Sequence, residues 1–78
     1  MRKRAFIKIN NYDDIKAFVA LASKVNCGDV DVIRGKYCID ARSFLGVLGV
    51  DMSTGITVEY PAEALEFENF IQAFVAVE

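Results

Sequence analysis

The chain has no histidine, one proline, two cysteines and no basic residue after Arg42. Each shortage closes off a class of chemistry. Without histidine there is no imidazole base, and no Cys/His set for zinc can be completed. Cys27 and Cys38 do not form a CxxC pair, and two thiols in a chain without secretory features read as free, as ordinary small residues in or near the core. No apolar run approaches the roughly 20 residues that span a bilayer. The basic start Met1-Arg2-Lys3-Arg4 is followed by only a few apolar residues, interrupted by Lys8, so no signal-peptide core is read there. These features predict a cytoplasmic protein without a membrane partner. There is also no glycine-rich phosphate loop, internal repeat, linker or low-complexity segment.

What is present is a 78-residue chain with 54% hydrophobic residues, enough for one small core and too many for a disordered segment. A single domain over residues 1–78 is expected. All nine basic residues lie in residues 1–42, where they leave a charge of +4; from Ser43 onward the charge is −6, giving the net −2. The acidic half argues against direct nucleic-acid binding, which needs a basic face. Either the molecule has two electrostatic sides, or a two-layer fold interleaves the halves and dilutes the asymmetry.

Alternation of Ala5, Ile7 and Ile9 against Arg4, Phe6 and Lys8 predicts a half-buried strand over residues 4–9. Asn11 is placed to cap a helix over residues 12–25, with Asp13 and Asp14 in the first turn, where the helix dipole favours negative charge. Ile15, Phe18, Val19, Ala22 and Val25 share one face of it. Asp13 and Asp14 read as first-turn charges rather than an acid–base pair, and Tyr12 beside them reads as a solvated or locally packed ring rather than a ligand contact.

A strand over residues 29–33, a turn at Arg34-Gly35-Lys36 and a return over residues 37–41 form a hairpin. Ser43 then caps a short helix whose apolar residues Phe44, Leu45, Val47 and Leu48 occupy more than one side. Residues 51–55 read as a polar loop and Ile56–Tyr60 as a fourth strand. Pro61 suits the first position of a last helix running to about Val77, where its missing N–H costs nothing. Phe67, Phe70, Ile71 and Phe74 line one face of that helix, and Leu65 falls nearly opposite. The order β-α-β-β-α-β-α with half-polar strands predicts an α+β fold, an antiparallel sheet covered on one face by helices.

Three passages resemble HPr, the phosphocarrier of the bacterial sugar phosphotransferase system. They are Leu21-Ala22-Ser23-Lys24, Val30 to Lys36, and above all Ala41-Arg42-Ser43-Phe44-Leu45-Gly46-Val47-Leu48, which is similar to the family's segment around its regulatory serine. The resemblance spans nearly the whole chain. It implies a two-layer open-faced sandwich with sheet order 1-4-2-3. It also implies a carrier histidine, an arginine and a proline at the positions of Asn11, Asp13 and Asp14. None is present, so the resemblance is to a member unable to carry phosphate on histidine, as in catabolite-repression HPr.

What survives is Ser43, which the resemblance makes a target of the HPr kinase/phosphorylase. Arg42 is positioned to pair with its phosphate, and Phe44, Leu45 and Leu48 are the docking patch for that enzyme or for a catabolite-control transcription factor. The expected protein is a regulatory adaptor, neither an enzyme nor a cofactor protein. The alternative is a small-molecule-binding regulatory domain of ferredoxin-like type.

Overall fold

The computed structural model describes residues 1–77 and has the expected element order. The elements are β1 (Arg2–Ile7), α1 (Tyr12–Lys24), β2 (Asp31–Arg34), β3 (Tyr37–Asp40), α2 (Phe44–Leu48), β4 (Ile56–Pro61) and α3 (Leu65–Gln72). The four strands form one antiparallel sheet in the order β1-β4-β2-β3, and the helices cover one face. β4 lies in the interior of the sheet: Arg4 and Ala5 pair with Glu59 and Val58, and on the other side Asp31 and Val32 pair with the same two residues.

Strand alternation divides the residues between two faces. Ile7, Val32, Ile56, Val58 and Tyr60 point to the helices and are buried. Phe18, Val19 and Ala22 of α1 and Phe67 and Ile71 of α3 meet them, with the Phe18 and Phe67 rings 5.5 Å apart. The Tyr60 hydroxyl donates to Glu68 at 2.7 Å, and burial together with that bond pushes its pKa up to about 12.

The open face is charged. Arg2 donates to Glu59 at 2.9 Å and to Asp31 at 3.0 Å, and Arg4 reaches the other oxygen of Glu59 at 2.8 Å. On the helix side, Lys3 pairs with Glu68 at 3.0 Å. The basic N-terminal strand is therefore laid against the acidic C-terminal half, and the charge asymmetry of the sequence is diluted in space. These pairs are partly solvated, so each contributes little stability by itself.

Several expectations are corrected. Pro61 ends β4 opposite Arg2 rather than opening a helix; a turn follows, with the Ala64 N–H bonded to the Pro61 carbonyl, and α3 begins only at Leu65. Proline is tolerated at a strand end, where a missing ladder donor matters least. α3 stops at Gln72 because the chain beyond it runs along β1: the Lys8 N–H donates to Phe74 O, and the Ala76 N–H to Phe6 O. Residues 51–55 are not a polar loop throughout; Met52–Thr54 form a 3-10 turn with Met52 2% exposed and packed in the core. Both cysteines are exposed rather than core residues.

The strand also starts earlier than expected, at Arg2, and ends at Ile7, although Ile9 remains buried. Gly55 shows why a glycine leads into β4. Its φ is +105°, and a Cβ there would lie 2.3 Å from the Phe6 ring.

Candidate functional site

Asn11 caps α1 as expected. Its Oδ1 accepts the N–H of Asp13 at 2.8 Å and that of Asp14 at 3.3 Å. Both carboxylates stand in the first turn. The Asn11 carboxamide oxygen is thus already spent on the helix, and an incoming anion meets two negative charges beside the first free N–H groups. At roughly 5 Å and an effective dielectric of about 20, each opposes a unit negative charge by about 3 kcal/mol. This start is closed as a helix cap.

Ser43 caps α2 in the same manner, its Oγ accepting the Gly46 N–H at 3.3 Å. The backbone before it is tied down by local bonds: the Ser43 N–H donates to Asp40 O at 2.9 Å, and the Arg42 N–H to the Asp40 carboxylate at 2.9 Å. α2 lies close on β3, because Gly46 has no side chain. A Cβ there would come within 2.8 Å of Ile39 Cγ2 and 3.1 Å of Ser43 Oγ. Val47 alone is fully buried from this helix. Ser43 itself is exposed.

The two helix starts are adjacent. The rings of Tyr12 and Phe44 meet edge to face with centroids 5.9 Å apart, and the Lys16 ammonium lies 5.7 Å from the Tyr12 centroid. Such ring pairs add about 1 kcal/mol beyond the area they bury. Phe44 is half-buried and lines a shallow apolar depression with Lys16, Val19 and Ala20 of α1. Tyr12 is 56% exposed and Leu48 39% exposed. Phe44 and Leu48 are four residues apart, which puts them on one side of α2.

Leu45 does not join them. It is 82% exposed and stands on the other side of α2, over a groove formed with Arg34, Lys36, Tyr37, Ile39 and Gly49. The anticipated docking patch is therefore divided in two by the helix axis. Leu65 belongs to neither part; it borders a cleft with Leu21, Val25 and Phe67.

Arg42 is already engaged. Its guanidinium lies 2.6 Å from Asp40 and 3.7 Å from Asp29. The Arg42 hydrogen bonds hold the Asp40 carboxyl down at about 2, well below the usual range. Sequence reading missed this pair, although Asp40-x-Arg42 at a strand end is a spacing that brings the side chains to the same side. It also missed Tyr12 as a member of the Phe44 surface, since their contact joins residues far apart in sequence.

Among the described residues no group of His, Cys, Asp and Glu is arranged to hold a metal ion, and no helix is long and apolar enough to cross a membrane. Compared with protein-family models, curated proteins and solved structures, the chain matches none.

Proposed function

We propose that this chain is a non-catalytic regulatory adaptor of HPr type, which docks a protein partner through the joined starts of α1 and α2 and is phosphorylated on Ser43. The observation that carries the reading is the Tyr12–Phe44 contact. It merges the position of a lost carrier residue, Asn11, and an exposed cap serine into one surface edged with apolar side chains. The sheet order β1-β4-β2-β3 is the one this reading requires.

In this reading phosphate is refused at one helix start and accepted at the other. Asn11 offers no nucleophile for a phosphoryl group, and Asp13 and Asp14 repel one. A phosphate on Ser43 brings nearly two negative charges beside Arg42. It then competes with Asp40 for the guanidinium, and a dianion with three acceptor oxygens is the stronger partner. Phosphorylation would thus release Asp40 from its bridge and change the surface beside Phe44. The partner class follows from the resemblance: the HPr kinase/phosphorylase as modifier, and a catabolite-control transcription factor as reader, in the cytoplasm.

The test is incubation with ATP and HPr kinase, followed by mapping of phosphate by mass spectrometry. Phosphate on Ser43 is expected; a chain that stays unmodified there ends the switch reading. Incubation with enzyme I and phosphoenolpyruvate is expected to leave no acid-labile phosphoryl group. Capture of a partner should weaken in Phe44→Ala and change in Ser43→Asp; equal capture by all three proteins argues against docking here.

The groove under Leu45 favours a second reading, binding of a small amphipathic ligand by a regulatory domain. A metabolite that raises the melting temperature, with the rise lost in Leu45→Asp, would move the assignment to that reading.

A further inference from the structure

The two edges of the sheet are treated differently. The outer edge of β1 is occupied, because Phe74 to Ala76 bond to it and Val75 bridges Ile7. β3 forms the other edge, and among the described residues no strand lies beyond it. It is also where exposed apolar surface collects: Tyr37 is 71% exposed and Leu45 beside it 82%. An unpaired, uncovered edge is a template for another strand.

We propose that the occupant of this edge is a second copy of the chain, paired antiparallel through β3 about a twofold axis at Cys38. Three features support self-pairing. The first is backbone direction. In the two-residue hairpin Arg34 pairs directly with Tyr37, and the closing pair of such a turn is hydrogen-bonded. Alternation then turns the N–H and C=O of Tyr37 and Ile39 toward β2 and those of Cys38 outward, with the N–H of Asp40. The Ala41 N–H bonded to Val30 O on the inner side agrees with this phase. A twofold at Cys38 makes reciprocal Cys38 N–H to Cys38 C=O bonds, flanked on each side by Asp40 N–H to Lys36 C=O.

The second is charge. The same register sets Lys36 of one copy opposite Asp40 of the other at both ends. At the Asp40 end two carboxylates, Asp40 and Asp29, share the single guanidinium of Arg42, which leaves negative charge for an incoming ammonium. The third is apolar surface. Tyr37 of each copy falls opposite Ile39 of the other on the helix side, next to the Leu45 groove, so the most exposed ring in the molecule is covered. A shift of one residue needs the inward-facing bonds of Tyr37 or Ile39 and breaks the phase, and a shift of two keeps the phase but parts Lys36 from Asp40, so only the twofold at Cys38 satisfies all three.

β3 has four residues, so the shared surface is small and the dimer should dissociate on dilution. The surface around Tyr12 and Phe44 is left free, so docking there does not compete with dimerisation; Asp40 is common to the Ser43 switch and to the pairing, and association is measured on the unphosphorylated chain.

Sedimentation of the full chain over micromolar to millimolar concentrations tests this, with cross-linking by a short bismaleimide. A concentration-dependent rise from 8.7 kDa toward twice that mass is expected. Lys36→Glu sets like charges at both ends and should weaken association at least about tenfold; Lys36→Arg should not. Lys36 is exposed in the turn, so the fold is kept, which circular dichroism checks. In a Cys27→Ser background Cys38 should cross-link, faster than Cys27 does in Cys38→Ser. A monomer at every concentration overturns the proposal. So does a dimer indifferent to Lys36→Glu, or one whose Cys38 cross-links no faster than Cys27.

Discussion

α1 and α2 both begin at a side-chain cap, yet the two starts bear different loads. Asn11 accepts two backbone N–H groups, and the helix behind it has 13 residues and buries Phe18, Val19 and Ala22. Ser43 accepts one, and its helix has five residues and buries only Val47. A helix of five residues has little cooperativity of its own and is held by what it touches. The first turn of α1 carries two carboxylates, that of α2 none. The α1 start therefore commits its cap oxygen to the helix and surrounds it with negative charge. The α2 start is held by the backbone bonds of Arg42 and Ser43 to Asp40, yet its cap serine is exposed and open to modification.

The contrast can be broken in several ways. The largest effect is expected where α2 leans on the sheet. Gly46→Val pushes a branched side chain into Ile39 and the Ser43 cap and should lower stability by about 3 kcal/mol, read in urea unfolding. A loss under about 1 kcal/mol would mean that α2 is not seated on β3.

The caps come next. Asn11→Ala should lower stability by about 1.5 kcal/mol, and Ser43→Ala by about 0.5 kcal/mol, because one cap serves a core helix and the other a short surface turn. Equal losses in the same unfolding assay would erase the distinction between them. The link between the two starts should fall between the two cap effects. A double-mutant cycle of Tyr12→Ala and Phe44→Ala is expected to show a coupling of about 0.7 kcal/mol; no coupling would separate the surfaces that the proposed function joins.

The smallest effect concerns the polar anchor of α2, which α1 lacks. Asp40 has a folded pKa of about 2 against an ordinary value of 3.8, because Arg42 bonds to it. Between those values the unfolded chain binds more protons than the folded one. The contribution is present above about pH 4 and fades as pH falls toward 2. Arg42→Gln should flatten the fall in stability over that window, relative to the parent chain, in urea titrations at stepped pH. The bridge is solvated, so the difference should be modest. An unchanged slope would show that Arg42 does not anchor the entry to α2.

Much of this molecule follows from local pattern. Period-2 and period-3.6 spacing of apolar residues placed the strands and helices in order and grouped Ile7, Phe18, Phe67 and Ile71 on apolar faces that the fold buries. Asn11 and Ser43 are caps by their residue type and position alone, and both make the bonds that implies. Such features depend on neighbours a few residues away, which is the range a sequence pattern reports.

The remainder depends on long-range packing. Pro61 suits a helix start or a strand end equally well; its pairing with Arg2 selects the strand. Phe74 continues the periodicity of α3, but the chain leaves the helix to bond to β1. Arg42 is a free cation on paper and a bridged one beside Asp40 and Asp29 in the fold. Phe44 and Leu45 are adjacent in the chain and serve opposite sides of α2, one against Tyr12 and the other over the groove with Tyr37. Each choice was open locally because two conformations or partners were nearly equal in energy, and distant contacts supplied the difference.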